Sequence, residues 1–216
     1  MGELQGSAKH PVTGERIASA AIALADNQGL SGVSMRKIGS QLGVEAMSLY
    51  YHLPSKAALL DAMVDELVKN LPRLNLSRGW RACFTSAAIA WRGIATEHPG
   101  AFPLVASRVH ACPLLLDKKH GLVEVLAQAG AKPLDAGHLA TSFVVALNGF
   151  LLAANSVVSE PTKEQRELTP KATTNPDDSL PPAAWDLTAD NAFAAHVAFL
   201  LDAIAAALAR NQRLPG

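Results

Sequence analysis

The sequence predicts an all-α protein: an N-terminal three-helix unit built around a helix-turn-helix, followed by a longer helical domain. Three observations lead there. Apolar residues recur at i, i+3, i+4 and i+7 through most of the chain, and no stretch alternates as a strand does. Residues 34–60 break at Gly43 and at Pro54-Ser55, which leaves a short helix, a very short one and the start of a third. Of the 216 residues, 49% are hydrophobic, enough for a sizeable core in one large domain or two small ones.

The elements follow in order. Residues 1–12 read as a flexible arm. A helix is predicted from about Thr13 to Gln28, with Ile17, Ala20, Ala21 and Leu24 on one face and Gly29 as its stop. Ser34 suits the N-cap of the next helix, where its oxygen accepts a backbone N–H bond. Met35, Ile38 and Leu42 give that helix one apolar face. Gly43 suits its end, because glycine takes the left-handed conformation without steric cost. Val44 and Leu49 plug the angle to the second short helix. Ser55 caps a connecting helix that runs to about Asn70, with Leu59, Leu60, Met63 and Leu67 inward, and Pro72 follows.

The rest is read the same way. A helix from about Arg78 to Glu97 carries Trp80, Phe84, Ala87, Ala88, Trp91, Ile94 and Ala95 on one stripe, and Pro99-Gly100 stops it. A short helix is expected near 101–109, then one from about Pro113 to Ala129. The segment from about Pro133 to Val158 is apolar nearly all round, so it must be buried on most sides. The last helix spans about Thr188 to Arg210. Residues 159–187 hold five of the 13 prolines and many small polar groups. Such composition cannot offset chain entropy by burial. A mobile loop is expected there, with a short helix near Lys163–Leu168, either as a linker or as a cover over a pocket. The predicted division is an arm at 1–12, a helix-turn-helix domain at 13–54, a connecting helix at 55–71 and a second domain at 72–216.

Within the helix-turn-helix, Arg36 and Lys37 open the first helix, Ser48, Tyr50, Tyr51 and His52 line the second, and Lys56 opens the third. A helix-turn-helix places its second helix in the DNA major groove. Formal net charge is zero, but residues 9–56 hold five cations against three carboxylates. Phosphate binding needs such a local surplus rather than a basic chain. No uninterrupted apolar run reaches membrane length, about 18 residues. Lys9-His10-Pro11 interrupts any signal-peptide pattern. Cys83 and Cys112 do not make a disulfide framework and read as buried thiols. His110 and Cys112 lack further ligands at metal spacing. No local motif of an enzyme is present. The sequence therefore predicts neither enzyme activity, cofactor nor metal, and a cytoplasmic protein without a membrane partner.

These residues carry a resemblance. From Arg16 to about Leu67, through Arg36-Lys37-Ile38, Leu42-Gly43-Val44, Leu49-Tyr50-Tyr51-His52 and Lys56-Ala57-Ala58-Leu59-Leu60, the chain strongly resembles the TetR family of bacterial transcriptional regulators. A weaker resemblance to the tetracycline-repressor branch rests on Trp80, Asn148-Gly149, Glu164-Gln165-Arg166-Glu167 and Ser179-Leu180-Pro181-Pro182. The resemblance implies a homodimer that binds operator DNA through its N-terminal domains. It also implies C-terminal helices that dimerise and hold a small effector, and repression as the usual mode. It assigns base reading to Glu45, Ala46, Met47, Ser48 and Tyr51. Ser48 can bond either base type, whereas Ala46 and Met47 offer only apolar contact, for example to thymine methyl groups. Arg36 would meet a guanine edge or phosphate, and Lys37 adds positive charge beside it. Tyr50, His52 and Lys56 would meet phosphate, which sets register.

A mostly apolar effector pocket is expected among Phe84, Ala87, Trp91, His110, Phe143, Leu147 and Asn148. Trp91 and Ala87 stand where the tetracycline branch faces its drug. Phe84, Trp91 and Phe143 read equally well as plain core. Asn148, a buried amide in need of partners, could pair with its dimer mate. The positions matching the branch's magnesium and drug-orienting groups are Val105, Ala87 and Pro72, so tetracycline itself is not expected. The other reading is an all-helical carrier or interaction module without DNA binding.

Overall fold

The computed structural model describes residues 11–108, 112–158 and 186–213. In chain order the helices are α1 (Gly14–Gln28), α2 (Met35–Leu42), α3 (Ala46–His52), α4 (Lys56–Val68), α5 (Trp80–Glu97), α6 (Phe102–Ser107), α7 (Pro113–Gln128), α8 (Pro133–Val158) and α9 (Asp190–Arg213). Among the described residues there is no strand. Two 3-10 turns, Leu30–Gly32 and Leu76–Arg78, add to the predicted elements. Three residues are too few to show a helical period, so neither turn left a trace in the pattern. Most of the predicted arm, the short helix near Lys163–Leu168, nearly all of the 159–187 loop and His110 lie outside the described residues.

Caps set several of the helix starts. Thr13 accepts the Arg16 N–H, Ser34 the Lys37 N–H and Ser55 the Ala58 N–H, at 3.3, 3.3 and 3.1 Å. Each such cap is worth about 1 kcal/mol. Gly43, at φ 69° and ψ 32°, ends α2 in the left-handed conformation that its sequence position predicts.

The chain divides into two compact units, Met1–Asn70 with Gly100–Leu114, and Leu71–Pro99 with Leu115–Gly216. The predicted division instead kept all of 72–216 in one domain. The 100–114 segment joins the first unit through polar contacts far apart in sequence. Gly100 and Ala101 both donate their N–H groups to Asp26 Oδ1 at 3.1 Å. Arg108 pairs with Asp61, and the Cys112 thiol donates to Asp65 Oδ1 at 3.3 Å. The approach is close enough that a Cβ on Gly100 would collide with Ala25 O and lie 2.6 Å from Asp26 Cα. Around this seam the first unit buries Ile17, Ala21 and Ala25 of α1, Ile38 of α2, Leu49 of α3, Met63 and Val64 of α4, and Phe102 of α6.

In the second unit α5, α8 and α9 pack on one another. Their shared core holds Phe84, Ala88 and Ala95 from α5, Phe143, Leu147 and Leu151 from α8, and Val197 and Leu201 from α9. Ion pairs Arg81–Asp202 at 3.0 Å and Arg92–Asp190 at 2.6 Å link α5 to α9. Asn155 Nδ2 donates to Ala95 O at 3.0 Å, tying α8 to α5. Lys118 of α7 donates to Leu71 O at 2.8 Å. Cys83 is buried, as is Cys112 in the first unit, and the two do not form a disulfide. Burial pushes the Cys83 thiol above its ordinary pKa.

Pro133–Ser156 and Asp190–Arg210 are long and apolar enough to cross a membrane by length and composition. Polar residues interrupt both stretches, so neither is an uninterrupted apolar run. Within the 18-residue apolar window of each, 33% and 28% respectively is buried in the chain.

Candidate nucleic-acid interface and effector cluster

The α2–α3 corner is fixed by its inner residues. Ile38 and Leu49 are fully buried, and Leu53, at the α3 C-cap, is buried as well. Val44 N–H donates to Gly39 O at 2.9 Å. A Cβ on Gly39 would lie 2.7 Å from Val44 O and 3.3 Å from Ala46 N, so only glycine lets the turn fold back this tightly. The sequence reading missed this role, since Gly39 sits inside a helix where glycine normally weakens it.

Pinned from one side, α3 turns its remaining residues outward. Met47, Ser48, Tyr50, Tyr51 and His52 are exposed, Ala46 is half-buried, and Glu45 stands exposed at the N-cap without a side-chain cap bond. The Tyr51 ring meets His52 edge-on at 5.5 Å. Arg36, Lys37 and Lys56 are exposed as well. All ten residues of the predicted DNA-binding set thus belong to one motif.

The electrostatics are locally unfavourable in an informative way. Arg36 and Lys37 lie in the first turn of α2, and Lys56 opens α4, with no acidic residue in either first turn. Helix N-termini already carry partial positive charge, so a cation there costs roughly 0.3–1 kcal/mol when no anion is near. Lys37 offsets part of this by donating to Gln28 Oε1 at 2.6 Å. Two positive helix ends with basic side chains make a surface suited to phosphate.

The predicted effector residues lie in the second unit, apart from His110, which is outside the described residues. Phe84, Trp91, Phe143, Leu147 and Asn148 are buried, and Ala87 is half-buried. Phe84 and Phe143 meet edge-to-face at 4.7 Å, with Trp80 edge-on to Phe84 at 6.2 Å. Trp91 Nε1 donates to Asn148 Oδ1 at 2.6 Å, a buried bond across 57 residues of sequence. The amide that the sequence left in need of a partner finds one in its own chain. His196 of α9 stacks on Phe150 of α8 at 4.6 Å, and its buried Nε2 has no hydrogen-bond partner among the described residues. No local pattern marks that pair, because the two rings come from different helices.

Residues 17–63 match the family described as bacterial regulatory proteins, tetR family. The chain is 31% identical to the HTH-type transcriptional repressor DrrR1 of Streptomyces coeruleorubidus over 163 residues, 73% of this chain and 58% of the relative. It is 32% identical to an HTH-type transcriptional regulator of Saccharopolyspora erythraea over 148 residues, 66% of this chain and 62% of that one. It therefore spans about three fifths of the length of both. The fold is similar to the crystal structure of a possible TetR family transcriptional regulator from Streptomyces coelicolor A3(2). The TM-score is 0.69 and the identity 27%, over 90% of this chain and 99% of that one.

Proposed function

Because this chain belongs to the TetR family of bacterial regulatory proteins, we propose that it is a sequence-specific, DNA-binding transcriptional repressor of the cytoplasm. A small, mostly apolar effector releases it from its operator. The observation that carries this reading is the outward row of α3, flanked by the basic first turns of α2 and α4. Arg36, Lys37, Tyr50, His52 and Lys56 hold the phosphates, and Glu45, Ala46, Met47, Ser48 and Tyr51 face the bases. Selection of duplexes from a random pool by the full chain tests it. One enriched, roughly palindromic site is expected, with half-sites about 34–36 Å apart or somewhat more. Enrichment of no sequence would overturn the reading in favour of a carrier or interaction module.

The DNA-binding form is a homodimer joined through α8 and α9. Both helices are only partly buried within one chain, and Val145 and Phe199 stand exposed on them. Two copies packed isologously cover both faces at once. A monomer in sedimentation at micromolar concentration contradicts this, and partition into lipid vesicles instead of dimerisation contradicts it more strongly.

Phe84, Ala87, Trp91, Phe143, Leu147 and Asn148 of the second unit form the effector site, and the Trp91–Asn148 bond is the polar pair that an effector joins or replaces. Release requires the effector to bind the DNA-incompetent state better, and couplings of roughly 1–3 kcal/mol are typical. Linkage then makes operator DNA weaken effector binding by the same factor. Equal effector affinity with and without operator, measured by calorimetry, sinks this mechanism.

A further inference from the structure

We infer that base recognition by this chain rests on the 5-methyl groups of pyrimidines, read by a ridge formed by Met47 and Tyr51. The inference rests on the DNA-binding reading above and names what that surface recognises. Residues 46–52 are Ala-Met-Ser-Leu-Tyr-Tyr-His, without Arg, Lys, Asn or Gln. Those four residue types make the bidentate bonds to guanine and adenine edges that usually carry major-groove specificity. This helix offers something else. Met47 and Tyr51, at 76% and 89% exposure, are the most exposed large hydrophobic side chains among the described residues.

Their placement is ordered. Four residues apart on one helix, they share a face and lie about 6 Å apart along its axis. Ser48 and His52 make the neighbouring row at the same spacing. The edge contact with His52 steadies the Tyr51 ring. The one apolar group that base pairs present in the major groove is the 5-methyl of thymine. Bases stack at about 3.4 Å, so a ridge of this length meets methyl groups one or two steps apart. A soft thioether adapts to such a methyl better than a branched side chain does. The surrounding charge points to a polyanion rather than a protein groove as the occupant, since Arg36, Lys37 and Lys56 flank the ridge in sequence and all are exposed. A 5-methylpyrimidine can be thymine or 5-methylcytosine, and the chemistry at the methyl is shared.

The test uses the full chain and a duplex that it has enriched from a random pool. Each thymine of a half-site is replaced in turn by deoxyuridine, which removes the methyl and leaves every hydrogen-bonding group. Affinity should fall about fourfold per methyl at one or two positions and stay level at the others, from the usual worth of one buried methylene. Met47→Ala should abolish uracil sensitivity at one position and Tyr51→Ala at the other. Placing a cytosine·guanine pair there, with and without a 5-methyl, separates the sources. Rescue by 5-methylcytosine shows that the methyl suffices, and no rescue assigns the contact to thymine. Full affinity for half-sites lacking all thymine methyls overturns the inference. So does uracil sensitivity that survives both alanine variants with their helical melts intact. In either case the enriched site itself leaves the DNA-binding reading standing. If no duplex is enriched, both fall together.

Discussion

Tyr51 and Trp91 are both large aromatic residues with one polar handle, and the chain uses them in opposite ways. Tyr51 of α3 is 89% exposed, while Trp91 of α5 is 8% exposed and donates its N–H to a buried amide. The difference follows from what each helix needs in order to fold. Seven-residue α3 is anchored by Leu49 and by the glycine crossing at Gly39, so its outer face is left for a partner. Eighteen-residue α5 is packed by both α8 and α9, and its aromatic groups complete the interior. Substitutions on the outer face of α3 should therefore change binding without changing stability. Substitutions around Trp91 should do the reverse until an effector is present.

The sharpest way to break this contrast is truncation. Trp91→Ala should lower the unfolding free energy by about 3–5 kcal/mol through the cavity it leaves. Tyr51→Ala should stay within roughly 0.5 kcal/mol of the parent. Urea unfolding followed by circular dichroism compares the two, and similar losses would erase the distinction between the faces.

A second comparison sets two substitutions inside α2 and α5 against each other. Gly39→Ala drives a Cβ into backbone atoms of the turn, where neither side can yield cheaply, so about 1–3 kcal/mol of stability should be lost together with DNA binding. Trp91→Phe keeps an aromatic ring but removes the donor to Asn148, and leaving that amide oxygen without its indole donor should cost about 1–3 kcal/mol. Adding Asn148→Leu to Trp91→Phe should cost less than the sum of the single changes, because the two side chains share one bond. Strict additivity in the double variant would mean that the bond contributes nothing.

Smaller effects sharpen the first unit. Ser34→Ala should remove about 1 kcal/mol by uncapping α2. Lys56→Ala should be neutral or stabilising by a few tenths of a kcal/mol, because it takes a cation from a helix N-terminus. The same substitution should weaken binding to all duplexes and reduce the salt slope by about one. Destabilisation together with an unchanged salt slope would show Lys56 to be a structural residue.

Much of this was legible without coordinates, and the legible part is local. The Ser34 and Ser55 caps, the Gly43 stop and the apolar stripes of α4 and α5 are set by residues within a turn or two of each other. A helix writes its own period and ends into its sequence. The outward row of α3 was readable for the same reason: a short helix with one buried leucine has few ways to face.

What the tertiary structure decided lies between distant residues. Asp26 receives the N–H groups of Gly100 and Ala101 across 74 and 75 positions, so that α6 belongs with α1 and α4. Asn148 takes its proton donor from Trp91 across 57 positions, and Gly39 is required by a carbonyl on the far side of a turn. Sequence alone determined which helices form, where they begin and which face of α3 is free, because those depend on neighbours along the chain. Which buried polar groups meet, and which segment joins which unit, depended on packing in three dimensions, where a polar group's partner is chosen by proximity in the folded core and leaves no periodic mark in the chain.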